Sequence, residues 1–125
     1  MVRFRVALCV AAVLAVPAFV RAGAWHTRLE RSEPAAGSVV PAPPAIRLWF
    51  SERVELALTG LTLTGPDGHV ARTVRATRAD GEGSPVVVAV NQALAAGRYT
   101  VAWRTASRDG HPVKGTFAFT VTGAR

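Results

Sequence analysis

Two apolar patterns divide the chain. From Val6 to Val20 the residues are apolar without relief except at Pro17, with Arg3 and Arg5 ahead of the run and Ala22-Gly23-Ala24 behind it. A positive start, a short apolar stretch and small residues at the −3 and −1 places are the features of a cleaved secretory leader. The run is shorter than the roughly 18 to 20 residues a membrane span needs, so an uncleaved anchor is the weaker reading. The expectation is a signal peptide over 1–24, cut after Ala24, followed by one domain over 25–125. Cys9 lies inside the leader and follows Leu8, where a lipoprotein site would need a small residue.

Beyond Ala24 the pattern changes to short β-forming runs punctuated by Pro and Gly, and no window keeps a 3.6-residue apolar period. In "AIRLWFSE" (45–52), Ile46, Leu48 and Phe50 alternate with Arg47 and Trp49. In "LTGLTLTG" (58–65), Leu61 and Leu63 alternate with threonines, and "GPDGH" (65–69) then supplies hairpin-turn chemistry. The run "PVVVAV" (85–90) is continuous and predicts a strand buried on both sides. In "GRYTVAWRTAS" (97–107), Tyr99, Val101 and Trp103 oppose Arg98, Thr100 and Arg104, and "GTFAFTV" (115–121) repeats the scheme with Phe117, Phe119 and Val121. Near Leu29 the pattern predicts a short edge strand, and the prolines at 34, 41, 43 and 44 exclude the segment after it from any central ladder. The fold class is therefore all-β: a Greek-key β-sandwich of about seven strands, with Trp49, Phe50, Tyr99, Trp103, Phe117 and Phe119 supplying much of its core.

Composition narrows the chemistry. Of the net charge of +7, Arg3, Arg5 and Arg21 carry three, which leaves +4 on the mature part. Its arginines are scattered among acids instead of forming a stripe, so no nucleic-acid surface is expected. The mature chain has no cysteine and no methionine, since Met1 is the initiator. It can form no disulfide, and any metal it holds must use nitrogen or oxygen donors. The sequence carries no G-x-S-x-G elbow, phosphate-binding glycine loop or H-E-x-x-H, so catalysis is not expected. The three histidines are His26, His69 and His111.

The segment "SRDGHPVKG" (107–115) joins the Trp103 and Phe117 runs. One glycine separates Asp109 from His111, so both side chains can point the same way, and Pro112 biases His111 towards an extended backbone. Alone, D-G-H-P also fits a type I or II turn with polar surface residues.

Taken with the stretch "HTRLERSEPAAGSVV", then "PPAIRLWFSERVE", "LTGPDGHV" and "AAGRYTVAWRTASRDGHPVKGTFAFTV", the chain resembles the CopC family of exported bacterial copper-binding proteins. The resemblance covers essentially the whole mature chain. It implies an immunoglobulin-like or cupredoxin-like sandwich in the periplasm that binds Cu(II), with His26, Asp109 and His111 as metal ligands beside the chain-terminal amine. It also implies a role in copper resistance, buffering or hand-over to a CopD-type membrane permease, as an expected monomer. Imidazole, amine and carboxylate suit a tetragonal Cu(II) ion, and the lack of sulfur speaks against Cu(I). Many relatives carry a methionine-rich Cu(I) site in the stretch matching 63–73; this chain has none there, so one site is expected and His69 reads as part of a turn. One departure stands out: typical members begin with the histidine, whereas cleavage after Ala24 leaves Trp25 first and His26 second. The competing readings are a metal-free immunoglobulin-like interaction module and a copper oxidase.

Overall fold

The computed structural model describes residues 27–81 and 83–123, so the expected signal peptide, Trp25 and His26 lie outside it. Among the described residues nine strands form two sheets, β1-β3-β7-β6 and β2-β9-β8-β4-β5. The first sheet contains β1 (Leu29–Glu33), β3 (Ala45–Phe50), β6 (Thr77–Arg78) and β7 (Val86–Ala89). The second contains β2 (Val39–Val40), β4 (Gly60–Thr64), β5 (Val70–Ala71), β8 (Gly97–Ala106) and β9 (Pro112–Val121). A single 3-10 turn at Leu56–Leu58 lies between β3 and β4. All described pairings are antiparallel except β2 with β9.

This is the expected β-sandwich. Alternating side chains from the two inner faces meet in one apolar cluster: Ile46, Leu48, Val86 and Val88 from one sheet, with Leu61, Leu63, Tyr99, Val101, Trp103, Phe119 and Val121 from the other. Phe50 and Trp103 cross the gap edge to face, 5.5 Å between ring centroids. Tyr99, at the start of β8, stacks on its register partner Phe119, and its hydroxyl donates to the Ala95 carbonyl at 2.9 Å. That bond satisfies the one polar atom of a buried ring.

Three expectations change in detail. The strand count rises from about seven to nine because β2, β5 and β6 have two residues each, too few to display alternation. The Val86–Ala89 strand is buried on one face, not two, since Val86 and Val88 point inward while Val87 is half-buried and Ala89 exposed. Among the described residues no layer covers the outer face of its sheet, so the apolar run overstates the burial. Trp49 is likewise outside the core: it lies on the outer face of β3 with the Arg31 guanidinium 4.2 Å from its ring centroid, a cation–π contact.

Candidate metal site

The hairpin joining β8 to β9 is closed by the Ala106↔Pro112 pair. The Ser107 N–H donates to the His111 carbonyl at 3.4 Å, and the Gly110 N–H donates to the Ser107 carbonyl at 2.9 Å. Gly110 has φ +83°, the left-handed conformation that ends a three-residue hairpin loop at low cost only in glycine. This glycine turns the chain so that Asp109 and His111 face each other, as their spacing allows.

The pair is bonded twice. The His111 Nδ1–H meets Asp109 Oδ2 at 2.7 Å, and the His111 main-chain N–H donates to Asp109 Oδ1 at 3.2 Å. The hydroxyl of the buried Ser107 donates to the same Oδ1. These bonds, Ser107 first and then the His111 imidazole and N–H, hold the Asp109 carboxyl well below the usual carboxylate range. With the proton on Nδ1, Nε2 is the imidazole atom that keeps a free lone pair. Both side chains are exposed, at 64% for Asp109 and 73% for His111, so an ion can reach them. Sequence reasoning assigned Ser107 no role, although it stands two residues before Asp109 in the same motif.

The third expected ligand, His26, lies outside the described residues, but the residue after it is fixed. Thr27 is 2% exposed and its hydroxyl donates to Glu52 at 2.5 Å. The Ser51 N–H donates to the Arg28 carbonyl at 2.8 Å, and the Arg28 N–H to the Ser51 hydroxyl at 2.9 Å. Thr27 is thereby tied to the end of β3. That end adjoins the end of β8, because the Glu55 N–H donates to the Ala106 carbonyl at 3.0 Å and Phe50 packs on Trp103. Thr27 and the Ser107–His111 hairpin therefore leave the sandwich at the same end. Among the described residues no group of three or more His, Cys, Asp or Glu is arranged to hold an ion, so Asp109 and His111 make an incomplete site by themselves.

His69 repeats the arrangement at the opposite end of the second sheet. The Gly68 N–H donates to the Gly65 carbonyl at 3.0 Å, Gly68 has φ +83°, and the Gly65 N–H donates to the His69 carbonyl at 2.9 Å. His69 Nδ1 lies 2.8 Å from Asp67 Oδ2, and its N–H donates to Asp67 Oδ1 at 3.1 Å. The expected turn is present. The His69 N–H and imidazole lower the Asp67 carboxyl.

The fold and hairpin define a small β-sandwich that offers an imidazole–carboxylate pair at one end. The model of the CopC domain matches residues 29–122, and the chain belongs to the CopC family. It is 40% identical over 102 residues to "Copper resistance protein C" of Escherichia coli, covering 77% of this chain and 81% of that protein. "Protein YobA" of E. coli K12 is 39% identical over 97 residues, covering 77% and 78%. Among solved structures, PcoC, a methionine-rich copper resistance protein from E. coli, superposes with a TM-score of 0.68 at 35% identity, over 78% of this chain and 99% of that one. CopC from Methylosinus trichosporium OB3b superposes with the same TM-score of 0.68 at 29% identity, over 80% and 97%. Unlike the methionine-rich PcoC, this chain has Met1 as its only methionine.

Proposed function

We propose that this protein carries a single Cu(II) ion in the periplasm, held by His26, Asp109 and His111 with the amine of the processed chain end. In this reading it buffers copper or passes it to a CopD-type permease in the membrane. The observation that carries the proposal is the preorganised Asp109–His111 pair at the end of the sandwich where Thr27 is anchored. The donors fit the ion: nitrogen and carboxylate oxygen with no sulfur suit Cu(II). Asp109 orients the His111 ring in the metal-free protein, and its carboxylate and the His111 imidazole would supply oxygen and nitrogen donors to the ion. Exposure of the pair suits a carrier that must release its cargo.

Titration of the purified protein with Cu(II), followed by electron paramagnetic resonance, tests this. The expected result is one-to-one binding with a tetragonal signal split by nitrogen, which is lost in the double variant His26→Ala with His111→Ala. Retention of that signal in the double variant would reject the ligand set. A protein that binds no Cu(II) would favour the interaction-module reading. Amino-terminal sequencing is expected to find Trp25 first.

A further inference from the structure

Strand β4 is covered along only part of its free edge. Its pairing with β5 ends at Leu63↔Ala71. After Ala71 the chain leaves for the other sheet, where Thr73 bridges Val90 and the Val74 N–H donates to the Ala89 carbonyl at 2.9 Å. The Gly65 N–H points to the β5 side, where it donates to His69. Main-chain groups alternate along a strand, so those of Leu63 and Leu61 face that side too. Leu63 meets Ala71 there, but the N–H and C=O of Leu61 have no main-chain partner on that side among the described residues.

This bare edge forms one wall of a cleft of about 610 Å³, whose lining includes Leu61, Val74, Val88, Arg75 and Arg104. Arg104 projects from the outer face of β8, in register with Gly60 of β4. A Cβ at Gly60 would lie 3.0 Å from Arg104 Nη2, so the absent side chain is what lets the guanidinium lie across β4 towards its edge. Neither arginine forms an ion pair among the described residues. Val74, at the rim, is 47% exposed.

We propose that this edge is a strand-addition site for an extended acidic segment of a partner protein. The segment hydrogen-bonds to the Leu61 main chain. Its residue opposite Leu61 points inward, so an apolar side chain there enters the cleft beside Val74 and Val88. Its neighbours point outward, where carboxylates meet Arg104 and, at the rim, Arg75. A second copy of this chain is a poor occupant, because antiparallel pairing at Leu61 would bring both sets of arginines together. The inference is independent of the metal.

The test is an NMR titration of the isotope-labelled, metal-free protein with two blocked peptides, Ac-Glu-Val-Glu-Val-Glu-NH2 and its lysine counterpart Ac-Lys-Val-Lys-Val-Lys-NH2. The glutamate peptide is expected to give saturable shifts at Gly60–Thr62 and Val74–Ala76 and to slow exchange of the Leu61 amide, while the lysine peptide does neither. Arg104→Ser should weaken the glutamate peptide about threefold to tenfold. Arg104→Glu should transfer the preference to the lysine peptide, and Arg75→Glu serves the same purpose should the first variant not fold. Equal binding of both peptides, shifts confined to other edges, an unprotected Leu61 amide, or self-association that protects that amide would each overturn the proposal.

Discussion

Thr59 and Thr105 are buried, 7% and 2% exposed, with their hydroxyl oxygens 2.7 Å apart. Thr59 has one hydroxyl proton and donates it to the Glu55 carbonyl at 2.7 Å. The Thr105 hydroxyl must therefore be the donor between the two, and this makes the pair energetically lopsided. Thr105→Val removes one donor and strands no proton, so it should cost about 1 kcal/mol, the net worth of an ordinary hydrogen bond. Thr59→Val leaves the buried Thr105 proton without an acceptor and should cost about 2–3 kcal/mol. The Glu55 carbonyl is spared in that variant because it also accepts the Leu58 N–H at 3.0 Å. Removing both hydroxyls leaves no stranded proton, so the double variant should cost less than Thr59→Val alone. Urea unfolding measures these differences, and each 1 kcal/mol should move Tm by about 4–8 °C in a domain of this size. A Thr105→Val loss as large as that of Thr59→Val, or strict additivity in the double variant, would refute the proton assignment. The pair also matters for the candidate site, since the Glu55 N–H grips Ala106, the residue before Ser107.

Gly115→Ala places a Cβ 2.6 Å from Trp103 Cζ2, inside contact distance, and should destabilise by about 1–3 kcal/mol with a change in tryptophan fluorescence; an unchanged Tm would refute it. Ser107→Ala should raise the Asp109 carboxyl from its depressed position. A depressed carboxylate stabilises the fold above its ordinary value of 3.8, and that stabilisation is lost as pH falls from there towards the folded value. The variant should therefore lose less Tm than the parent on acidification through about pH 4 to 2, and equal losses would count against the bond. His69→Ala should leave one-to-one Cu(II) binding intact where His111→Ala weakens it, read by the same resonance titration.

Alternation made much of the sandwich legible. Ile46, Leu48, Leu61, Leu63, Tyr99, Val101 and Phe119 were all readable as core because each sits on a strand long enough to show a period of two. Where the period was absent, other forces decided. The two-residue strand Val39–Val40 is held by pairing to β9, a long-range contact that no local pattern records. Trp49 is a case where the period was present and the aromatic character misled: alternation with Ile46, Leu48 and Phe50 puts it on the outer face, where Arg31, opposite it in β1, offers a cation to its ring. At the hairpin, the spacing of Asp109 and His111 allowed their approach but fitted a plain polar turn equally, and both are present in the one loop. The buried Ser107 hydroxyl was not foreseen, because its burial depends on how β8 packs beyond Ala106. Thr59 and Thr105, 46 positions apart in the chain, meet only through topology.

The two D-G-H turns separate what a tripeptide decides from what a fold decides. Asp67-Gly68-His69 and Asp109-Gly110-His111 have the same glycine conformation, the same pair of Asp–His bonds and nearly the same distances. Local chemistry therefore makes an imidazole–carboxylate pair wherever this tripeptide closes a three-residue hairpin loop. An imidazole and one carboxylate are too few donors for a tetragonal ion, so the local pair is not itself a copper site. The difference lies in what the sandwich brings alongside. At the Asp67 turn the neighbours are Tyr99, whose hydroxyl is already committed to Ala95, and Pro66 packed against Gly97. The Asp109 turn lies at the end of the sandwich where Glu52 and Ser51 anchor Thr27 and Arg28, immediately after His26. In the proposed reading, the β1–β3 pairing, which sets where the segment after His26 enters the sandwich, is what would distinguish the two like turns. Moving D-G-H to another hairpin is expected to reproduce the turn without the Cu(II) binding proposed for the Asp109 turn, read by the same resonance titration.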